Sequence, residues 1–219
     1  MIYIVSTPIG NLGDITVRAI DTLKAVDLIL AEDTRRTSIL LQKYNIRARM
    51  LSFDDNNKDR RLSELAEQLR TRNIALVSDA GTPGISDPGY RLVKYCVDNS
   101  IPITPIPGAS AMLAALVCSG LPTDKFCFFG FLPKKEGQKR EMLDNLPNMT
   151  VIVYESPHRI IDTLELMSLV IPDREIVIGR ELTKKFEEFI RGKPADVYEK
   201  LKNRTIKGEF VIVIGKEKK

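Results

Sequence analysis

Residues 78–89 have the sequence Ser78-Asp79-Ala80-Gly81-Thr82-Pro83-Gly84-Ile85-Ser86-Asp87-Pro88-Gly89, directly after the apolar run Ile74-Ala75-Leu76-Val77. The run is typical of a buried parallel strand. Asp87 can cap a helix whose first position is Pro88. A plain strand-to-helix connection needs only about two to six residues. This glycine- and proline-rich loop is therefore predicted to hold an unusual backbone path close to a ligand, at the strand end where open α/β sheets bind them. The alternative is a long structural turn.

Length and composition indicate an ordinary globular protein. The chain has 219 residues, 43% hydrophobic and 28% charged, which suits one large domain or two small ones. No apolar run approaches the ~20 residues of a membrane span, and no signal peptide is visible before the first strand. The cysteines are predicted to be reduced core residues of a cytoplasmic protein, and not disulfide partners or zinc ligands; they are Cys96, Cys118 and Cys127.

The net charge of +4 permits a nucleic-acid partner without requiring one. His158 is the one histidine, which excludes mechanisms that need two histidines and argues against Ser-His-Asp or Cys-His catalysis. A packing or capping role suits this residue better than a catalytic one.

Strand and helix signals alternate along the whole chain, which predicts an α/β fold with mostly parallel or mixed sheets. In the first half, strands are predicted at 2–5, 28–31, 48–53, 74–78 and 102–106, and helices at 15–25 (capped by Asp14), 34–44, 59–72, 88–98 and from Pro107-Gly108-Ala109-Ser110 to about Cys118.

The segment 119–124 breaks this pattern and is the predicted linker. Beyond it, strands are predicted at 126–131, 150–154, 175–180 and 209–215, and helices at 136–145, 157–170 (Ser156 as N-cap, Pro157 first) and 195–203. We therefore predict two α/β domains, 1–118 and 119–219, with a ligand-binding cleft between them.

The loop from Ser6 to Asp14 leaves the first predicted strand as a phosphate-binding loop would. It matches neither GxGxxG nor GxxxxGK[ST] and contains no lysine, which disfavours an NAD or ATP site. A turn without a ligand is the alternative.

Charged residues follow two further strands. In Ala31-Glu32-Asp33-Thr34-Arg35-Arg36-Thr37, Asp33 or Thr34 can cap the next helix, and the arginines either bind a phosphate or remain solvated. In Val153-Tyr154-Glu155-Ser156-Pro157-His158-Arg159, Glu155 is predicted at the mouth of the cleft. Segments 179–185 and 207–210 add charge and glycine at strand edges. Together these segments predict a site for a polar, partly anionic substrate.

These segments, in this order, resemble the tetrapyrrole methylase superfamily, and within it the branch that 2′-O-methylates small-subunit ribosomal RNA. The matching residues cover nearly the whole chain: TPIGNLGDIT at 7–16, AEDTRRT at 31–37, SDAGTPGISDPG at 78–89, PGASA at 107–111, SGLPTDKF at 119–126, GFLPKK at 130–135, YESPHR at 154–159, RELTK at 180–184 and KGEFV at 207–211.

The resemblance implies methylation, with S-adenosylmethionine as donor, of a cytidine ribose in the decoding centre of 16S rRNA. It also implies a cytoplasmic homodimer acting on small-subunit rRNA or the 30S subunit, with no membrane and no metal. The implied cofactor-binding residues are Thr7, Pro8, Asp79, Ala80, Gly81, Thr82, Pro83, Ile85, Ser86, Ala109, Ser110, Tyr154, Leu182, Gly208, Glu209 and Phe210.

Transfer of a methyl group to a 2′-hydroxyl requires removal of the hydroxyl proton, for which the candidates are Glu155, Asp33 and Glu32. The predicted RNA contacts, through phosphates, are Arg35, Arg36, Arg159, Arg180 and Lys207. A second basic stretch, either an RNA contact or a solvated surface, comprises Lys134, Lys135, Lys139 and Arg140.

Two other functions remain open at this point. One is methylation of a small tetrapyrrole or a modified protein residue, against which the arginine-rich 31–37 and 154–159 segments argue. The other is a non-catalytic RNA-binding or assembly factor, which would not need the loop at 78–89. Two departures from the family concern RNA binding: residues 51–57 lack a histidine that relatives often carry, and the chain stops soon after the last predicted strand. We therefore expect RNA affinity to depend on the core and on dimerisation.

Overall fold

The computed structural model describes residues 1–87 and 89–217. Its contacts divide the chain into two compact units, Met1–Ser110 and Ala111–Lys219. Within the described residues, no helix is both long and apolar enough to cross a membrane.

The first unit is built on a five-stranded, fully parallel sheet of order β3-β2-β4-β1-β5. Its strands are β1 (Ile2–Val5), β2 (Leu28–Ala31), β3 (Met50–Ser52), β4 (Ile74–Val77) and β5 (Ile103–Ile106), and its helices are α1 (Val17–Ala25), α2 (Thr34–Lys43), α3 (Lys58–Thr71) and α4 (Gly89–Asp98). A short 3-10 helix covers Leu12–Asp14.

The central strands of this sheet are apolar at every position because both faces are covered. Leu28 and Leu30 of β2 pack in one hydrophobic cluster, whereas Ile29 and Ala31 pack in another. Such continuous burial is typical of parallel sheets flanked by helices. All five strands point the same way, so the loops that follow them lie at one edge of the sheet.

The second unit holds a mixed five-stranded sheet of order β6-β7-β10-β8-β9. Only β6 and β7 pair in parallel, and the other three pairings are antiparallel. Its strands are β6 (Phe126–Phe131), β7 (Thr150–Glu155), β8 (Ile176–Arg180), β9 (Glu188–Gly192) and β10 (Phe210–Ile214), and its helices are α5 (Ala111–Ser119), α6 (Glu136–Asp144), α7 (Ile160–Val170) and α8 (Pro194–Leu201).

The division between the units falls at 110/111, earlier than the predicted boundary at 118/119. The difference is α5, which the sequence analysis assigned to the first domain. This helix contacts β7, β8 and β10 and buries Ala115 and Leu116. Its sequence is apolar on nearly every side, so its periodicity does not indicate which sheet it covers.

Several local predictions were wrong. Asp14 lies in the 3-10 helix, and the N-cap of α1 is Thr16, whose hydroxyl accepts from the Ala19 N–H at 3.1 Å. The helix predicted from Pro157 begins at Ile160. The Ser156 hydroxyl accepts from the Arg159 guanidinium at 3.2 Å instead of capping that helix.

Other boundaries hold or lie outside the described residues. Asp87 accepts from the Gly89 N–H at 2.7 Å, at the start of α4, which confirms it as a capping side chain. The first helical position predicted for Pro88 lies outside the described residues. Strand β9 was missed because the charged Glu188 and Arg191 mask its apolar positions.

Candidate functional site

In the first unit, the loop 78–87 is bound to the loops that follow β1 and β5. The Thr82 hydroxyl forms a hydrogen bond of 2.9 Å with the Ser6 hydroxyl and lies 3.4 Å from the Ala109 carbonyl. Thr7 and Gly81 exchange both backbone hydrogen bonds, at 2.9 and 3.0 Å. Strands β4, β1 and β5 are neighbours in the sheet. Three predicted cofactor segments therefore meet at the carboxyl edge of this sheet.

The backbone of this loop requires special conformations. Gly81 has φ +81°, and a Cβ there would lie 3.6 Å from the Ala109 carbonyl oxygen. Ser86 also has a positive φ, 64°. The Asp87 carboxylate accepts from the Gly84 N–H at 2.8 Å; burial raises the pKa of Asp87, and this hydrogen bond opposes the increase. A turn held this firmly is pre-organised for a ligand.

Three acidic residues connect this loop to the end of β2. The Asp33 N–H donates to Asp79 Oδ1 at 3.0 Å, and the Asp79 N–H donates to Glu32 Oε2 at 3.2 Å. Arg36 pairs with Asp79 Oδ2 at 3.2 Å. These contacts follow from the register, because Ala31 lies opposite Val77 in the parallel β2–β4 pair.

The two neighbouring carboxylates that follow β2 differ in acidity. Burial raises the pKa of Glu32; the Asp79 N–H opposes the increase, and the carboxylates of Asp79, Asp87 and Asp55 add to it. Asp33 instead caps α2 and accepts two hydrogen bonds from the Arg35 guanidinium, at 3.1 and 2.8 Å. These contacts lower its pKa to about 2.

The two predicted RNA-binding arginines of this segment are exposed but paired. The side chain of Arg35 is 91% exposed and contacts Asp33, whereas that of Arg36 is 66% exposed and contacts Asp79. Both guanidinium groups remain accessible to a phosphate.

In the second unit, the structure brings the predicted segments 180–184 and 207–211 together. Glu181 and Glu209 are linked by the hydrogen bond from the Glu181 N–H to the Glu209 carbonyl and by that from the Glu209 N–H to Glu181 Oε1, both 3.0 Å. Lys184 Nζ lies 2.9 Å from each carboxylate. Gly208 has φ +98°, and a Cβ there would lie 2.5 Å from the Glu181 side chain. This corner therefore has a fixed backbone.

The remaining predicted cofactor residues of this unit are more buried. Tyr154 packs edge-on against Phe128 and Phe131; burial raises its pKa, and a hydrogen bond with the Met112 backbone opposes the increase. Leu182 and Phe210 are buried, whereas Tyr154 is half-buried.

Glu155 does not lie at an accessible position, so the prediction that it is within reach of a ligand is wrong. Its side chain is 0% exposed and lies 2.6 Å from the Arg159 guanidinium and 3.5 Å from Lys139 Nζ. It also accepts from the Thr163 hydroxyl at 2.8 Å and from the Ser156 N–H at 2.7 Å. These partners satisfy a charge that burial would otherwise make costly.

The cations beside Glu155 are internal counter-ions. Lys139, predicted to be part of a polar surface stretch, is buried, whereas Lys134, Lys135 and Arg140 are exposed. Arg159 also donates to the Leu132 carbonyl at 3.2 Å. No periodicity in the sequence marks these residues as core.

The remaining candidate residues differ in their exposure to solvent. Lys207 is exposed, and its carbonyl accepts from Arg180 Nε at 2.9 Å. His158 is exposed in the turn before α7. Cys96 is buried, but Cys118 is exposed, so the prediction that all three cysteines are core residues was wrong.

The chain is similar to known proteins over its whole length. Residues 1–198 match the family of tetrapyrrole (corrin/porphyrin) methylases. Relatives named ribosomal RNA small subunit methyltransferase I are 48% identical in Halalkalibacterium halodurans, over 97% of this chain and 75% of the relative, and 46% identical in Thermotoga maritima, over 99% of each. The relative of that name from Hydrogenobaculum is 48% identical over 99% of this chain and 96% of its own.

Solved structures share the fold at low sequence identity. The uroporphyrin-III C-methyl transferase of Thermus thermophilus, complexed with S-adenyl homocysteine, has a TM-score of 0.65 at 16% identity, covering 98% of this chain and 96% of its own. The precorrin-6Y methylase of Archaeoglobus fulgidus has a TM-score of 0.66 at 19% identity, covering 100% and 98%. These two likenesses establish the α/β architecture.

Proposed function

Because the chain belongs to the family of tetrapyrrole (corrin/porphyrin) methylases and is a methyltransferase whose methyl donor is S-adenosylmethionine, we propose that its substrate is the ribosomal RNA of the small subunit. The observation that carries this proposal is the 46–48% identity, over nearly the whole chain, to relatives named for that activity. The finer proposal is the 2′-hydroxyl of a cytidine in the decoding centre of 16S rRNA, modified in the cytoplasm.

The residues present suit this cofactor. The loop 78–87 offers fixed backbone groups and hydroxyls, which can bind the polar amino acid and ribose parts closely because Gly81 carries no side chain. S-adenosylmethionine supplies an activated methyl group when bound. The residues proposed to hold it are, in the first unit, Thr7, Pro8, Asp79, Ala80, Gly81, Thr82, Pro83, Ile85, Ser86, Ala109 and Ser110, and in the second unit Tyr154, Leu182, Gly208, Glu209 and Phe210.

Among the three candidate proton acceptors, we propose Glu32. An efficient general base has a pKa near the working pH. The pKa of Glu32 is raised, whereas that of Asp33 is lowered to about 2. Glu155 is enclosed by its partners. Glu32 also accepts from the N–H of Asp79 in the proposed cofactor loop. We assign to Glu32 the removal of the 2′-hydroxyl proton, with Asp79 orienting the cofactor.

Two exposed arginines extend the site toward the RNA. Arg35 and Arg36 open α2 directly after Glu32 and Asp33. Guanidinium groups bind phosphates through paired hydrogen bonds, which orient a nucleic acid without reading its sequence. Lys207 is proposed to act likewise in the second unit. Arg180 is not retained as an RNA contact, because its side chain is only 14% exposed and pairs with Glu188 at 3.4 Å. Arg159 is not retained as an RNA contact, because it pairs with the buried Glu155.

We also propose that the protein is a homodimer. Strand β6 lies at an edge of its sheet and exposes Phe126, Phe129 and Phe131 by 39%, 42% and 57%. An edge strand with exposed aromatic side chains is prone to pair with a second chain.

The function is tested with labelled S-adenosylmethionine, 30S subunits from cells lacking the enzyme, naked small-subunit rRNA and a tetrapyrrole mixture. We expect label on one cytidine, in a linkage that resists alkali because the 2′-oxygen is blocked. The free rRNA and 30S arms identify which form is the substrate. Label on a tetrapyrrole alone, or bound cofactor with no labelled RNA, would overturn the proposal.

A further inference from the structure

One segment of the first unit concentrates positive charge. Residues 34–53 contain five cations, Arg35, Arg36, Lys43, Arg47 and Arg49, and no aspartate or glutamate. This segment is thus more positive than the entire chain, whose net charge is +4. Such local asymmetry indicates an anionic partner.

The segment surrounds an open groove of about 450 Å³ between α2 and the edge strand β3. Its polar lining consists of Ser38, Gln42, Arg47 and Arg49; we call it the arginine groove. Arg47 and Arg49 are exposed. Within residues 1–87 and 89–217, neither guanidinium has an ion pair or a side-chain hydrogen bond.

Two other exposed arginines of this unit do have carboxylate partners. Arg60 pairs with Glu64 at 3.7 Å, and Arg91 pairs with Asp59 at 2.5 Å. The two guanidinium groups of the groove are therefore available for an external anion, and no lining residue is acidic.

Helix α2 connects the groove to the segment that contains Glu32 and Asp33. Arg35, Ser38 and Gln42 follow one another at spacings of three and four, so they lie on one side of α2. Arg35 lies at the end of α2 that follows Glu32, and Gln42 lies near the opposite end. A ten-residue helix is about 15 Å long. Over that length, α2 runs from the carboxyl edge of the sheet to the groove, and these three polar side chains share its surface with the exposed Ile39.

We propose that the arginine groove binds the sugar–phosphate backbone of the substrate RNA, to one side of the methylated nucleotide; this rests on the proposed function. Guanidinium forks suit phosphate oxygens, and hydroxyl and amide side chains also bind phosphate and sugar. The groove lining contains no aromatic side chain on which a base could stack. The groove therefore orients the RNA without selecting its sequence.

The test compares two double variants that each remove two positive charges. Arg47→Gln with Arg49→Gln alters the groove. Lys24→Gln with Arg72→Gln is the matched control, because both residues are exposed and neither lines the groove. Lys24 lies in the last turn of α1, and Arg72 directly follows α3. Measurements are kcat, KM and direct binding to 30S subunits and to rRNA at several salt concentrations, and the Kd for S-adenosylmethionine.

For the groove variant we expect KM for RNA to rise about tenfold, with kcat and the cofactor Kd unchanged. The slope of log affinity against log salt should fall by about 1.4 relative to the control, because two phosphate contacts are lost. If the two double variants behave equally while the wild type binds and methylates RNA, the proposed role of the groove is overturned and the proposed function stands. A wild type that binds RNA tightly without methylating it would overturn the proposed function while the binding series still tests the groove. No RNA binding by wild type would overturn both.

Discussion

The backbone N–H of Asp79 donates to the Glu32 carboxylate at 3.2 Å. This hydrogen bond joins the proposed cofactor loop to the carboxylate proposed to accept the substrate proton. Asp79 in turn accepts from the Asp33 N–H at 3.0 Å. Two hydrogen bonds therefore connect the loop to the residues that follow β2.

Glu32→Gln is expected to lower kcat by about 100-fold or more, the usual contribution of a general base, with little change in the Kd for S-adenosylmethionine. Activity of the wild type should rise with pH through a pKa above the ordinary value of 4.5, because only the ionised carboxylate accepts a proton. The variant should lose that limb of the pH–rate profile. A profile unchanged by the substitution would exclude Glu32 as the base.

Asp33→Asn is expected to alter stability in a pH-dependent way. The pKa of Asp33 is lowered from 3.8 to about 2 by Arg35, so its stabilising effect is present above pH 3.8 and is lost as the pH falls toward 2. Urea unfolding should show wild type more stable than the variant at pH 6, with the difference shrinking through that window. A difference that stays constant with pH would contradict the ion pair.

Glu155→Gln is expected to destabilise the protein by about 3 kcal/mol, because Lys139 and Arg159 would keep their charges beside a neutral side chain. Glu165→Gln on the exposed face of α7 is the control and should change stability by less than about 0.5 kcal/mol. Both are measured by urea unfolding. A stable Glu155→Gln protein with a large loss of kcat would instead indicate a catalytic role for Glu155.

Gly208→Ala is expected to weaken cofactor binding and to destabilise the second unit by about 1–3 kcal/mol, because its φ is +98° and its Cβ would lie 2.5 Å from Glu181. Gly137→Ala is the control: it lies within α6, with no atom within 4 Å of a new Cβ, and alanine favours a helix. Calorimetric titration with S-adenosylmethionine and thermal unfolding measure both effects. Equal behaviour of the two variants would show that the 208 corner is not constrained.

Phe129→Ser with Phe131→Ser is expected to shift the protein from dimer toward monomer in sedimentation equilibrium, because these side chains are exposed on the edge strand β6. Phe186→Ser removes a phenylalanine that is 68% exposed elsewhere and should leave the mass unchanged. A wild type that is monomeric at all concentrations would refute the dimer.

Much of the site could be predicted because its residues follow strands. The strands 2–5 and 28–31 have the predicted bounds, and β4 differs from its prediction by one residue. Each is a short apolar run bounded by turn residues, so the local pattern suffices to locate it. Once parallel pairing is inferred, the loops after these strands must lie at one edge.

The environment of Glu155 could not be predicted in this way. Glu155 is the last residue of β7 and Glu32 directly follows β2, yet the first carboxylate is fully buried and the second is half-buried. The difference arises from Lys139 and Thr163, which lie 16 and 8 residues away on α6 and α7. Such contacts depend on how helices pack over a sheet.

The amino-acid sequence alone determined the alternation of strands and helices, the loops that carry the proposed cofactor residues and the family likeness, since these depend on local periodicity and residue order. Only the tertiary structure decided the mixed pairing of the second sheet, the placement of α5 and the different environments of Glu32, Asp33 and Glu155. Burial and ion pairing depend on residues distant in the chain, and the acidity of a carboxylate is set by those neighbours.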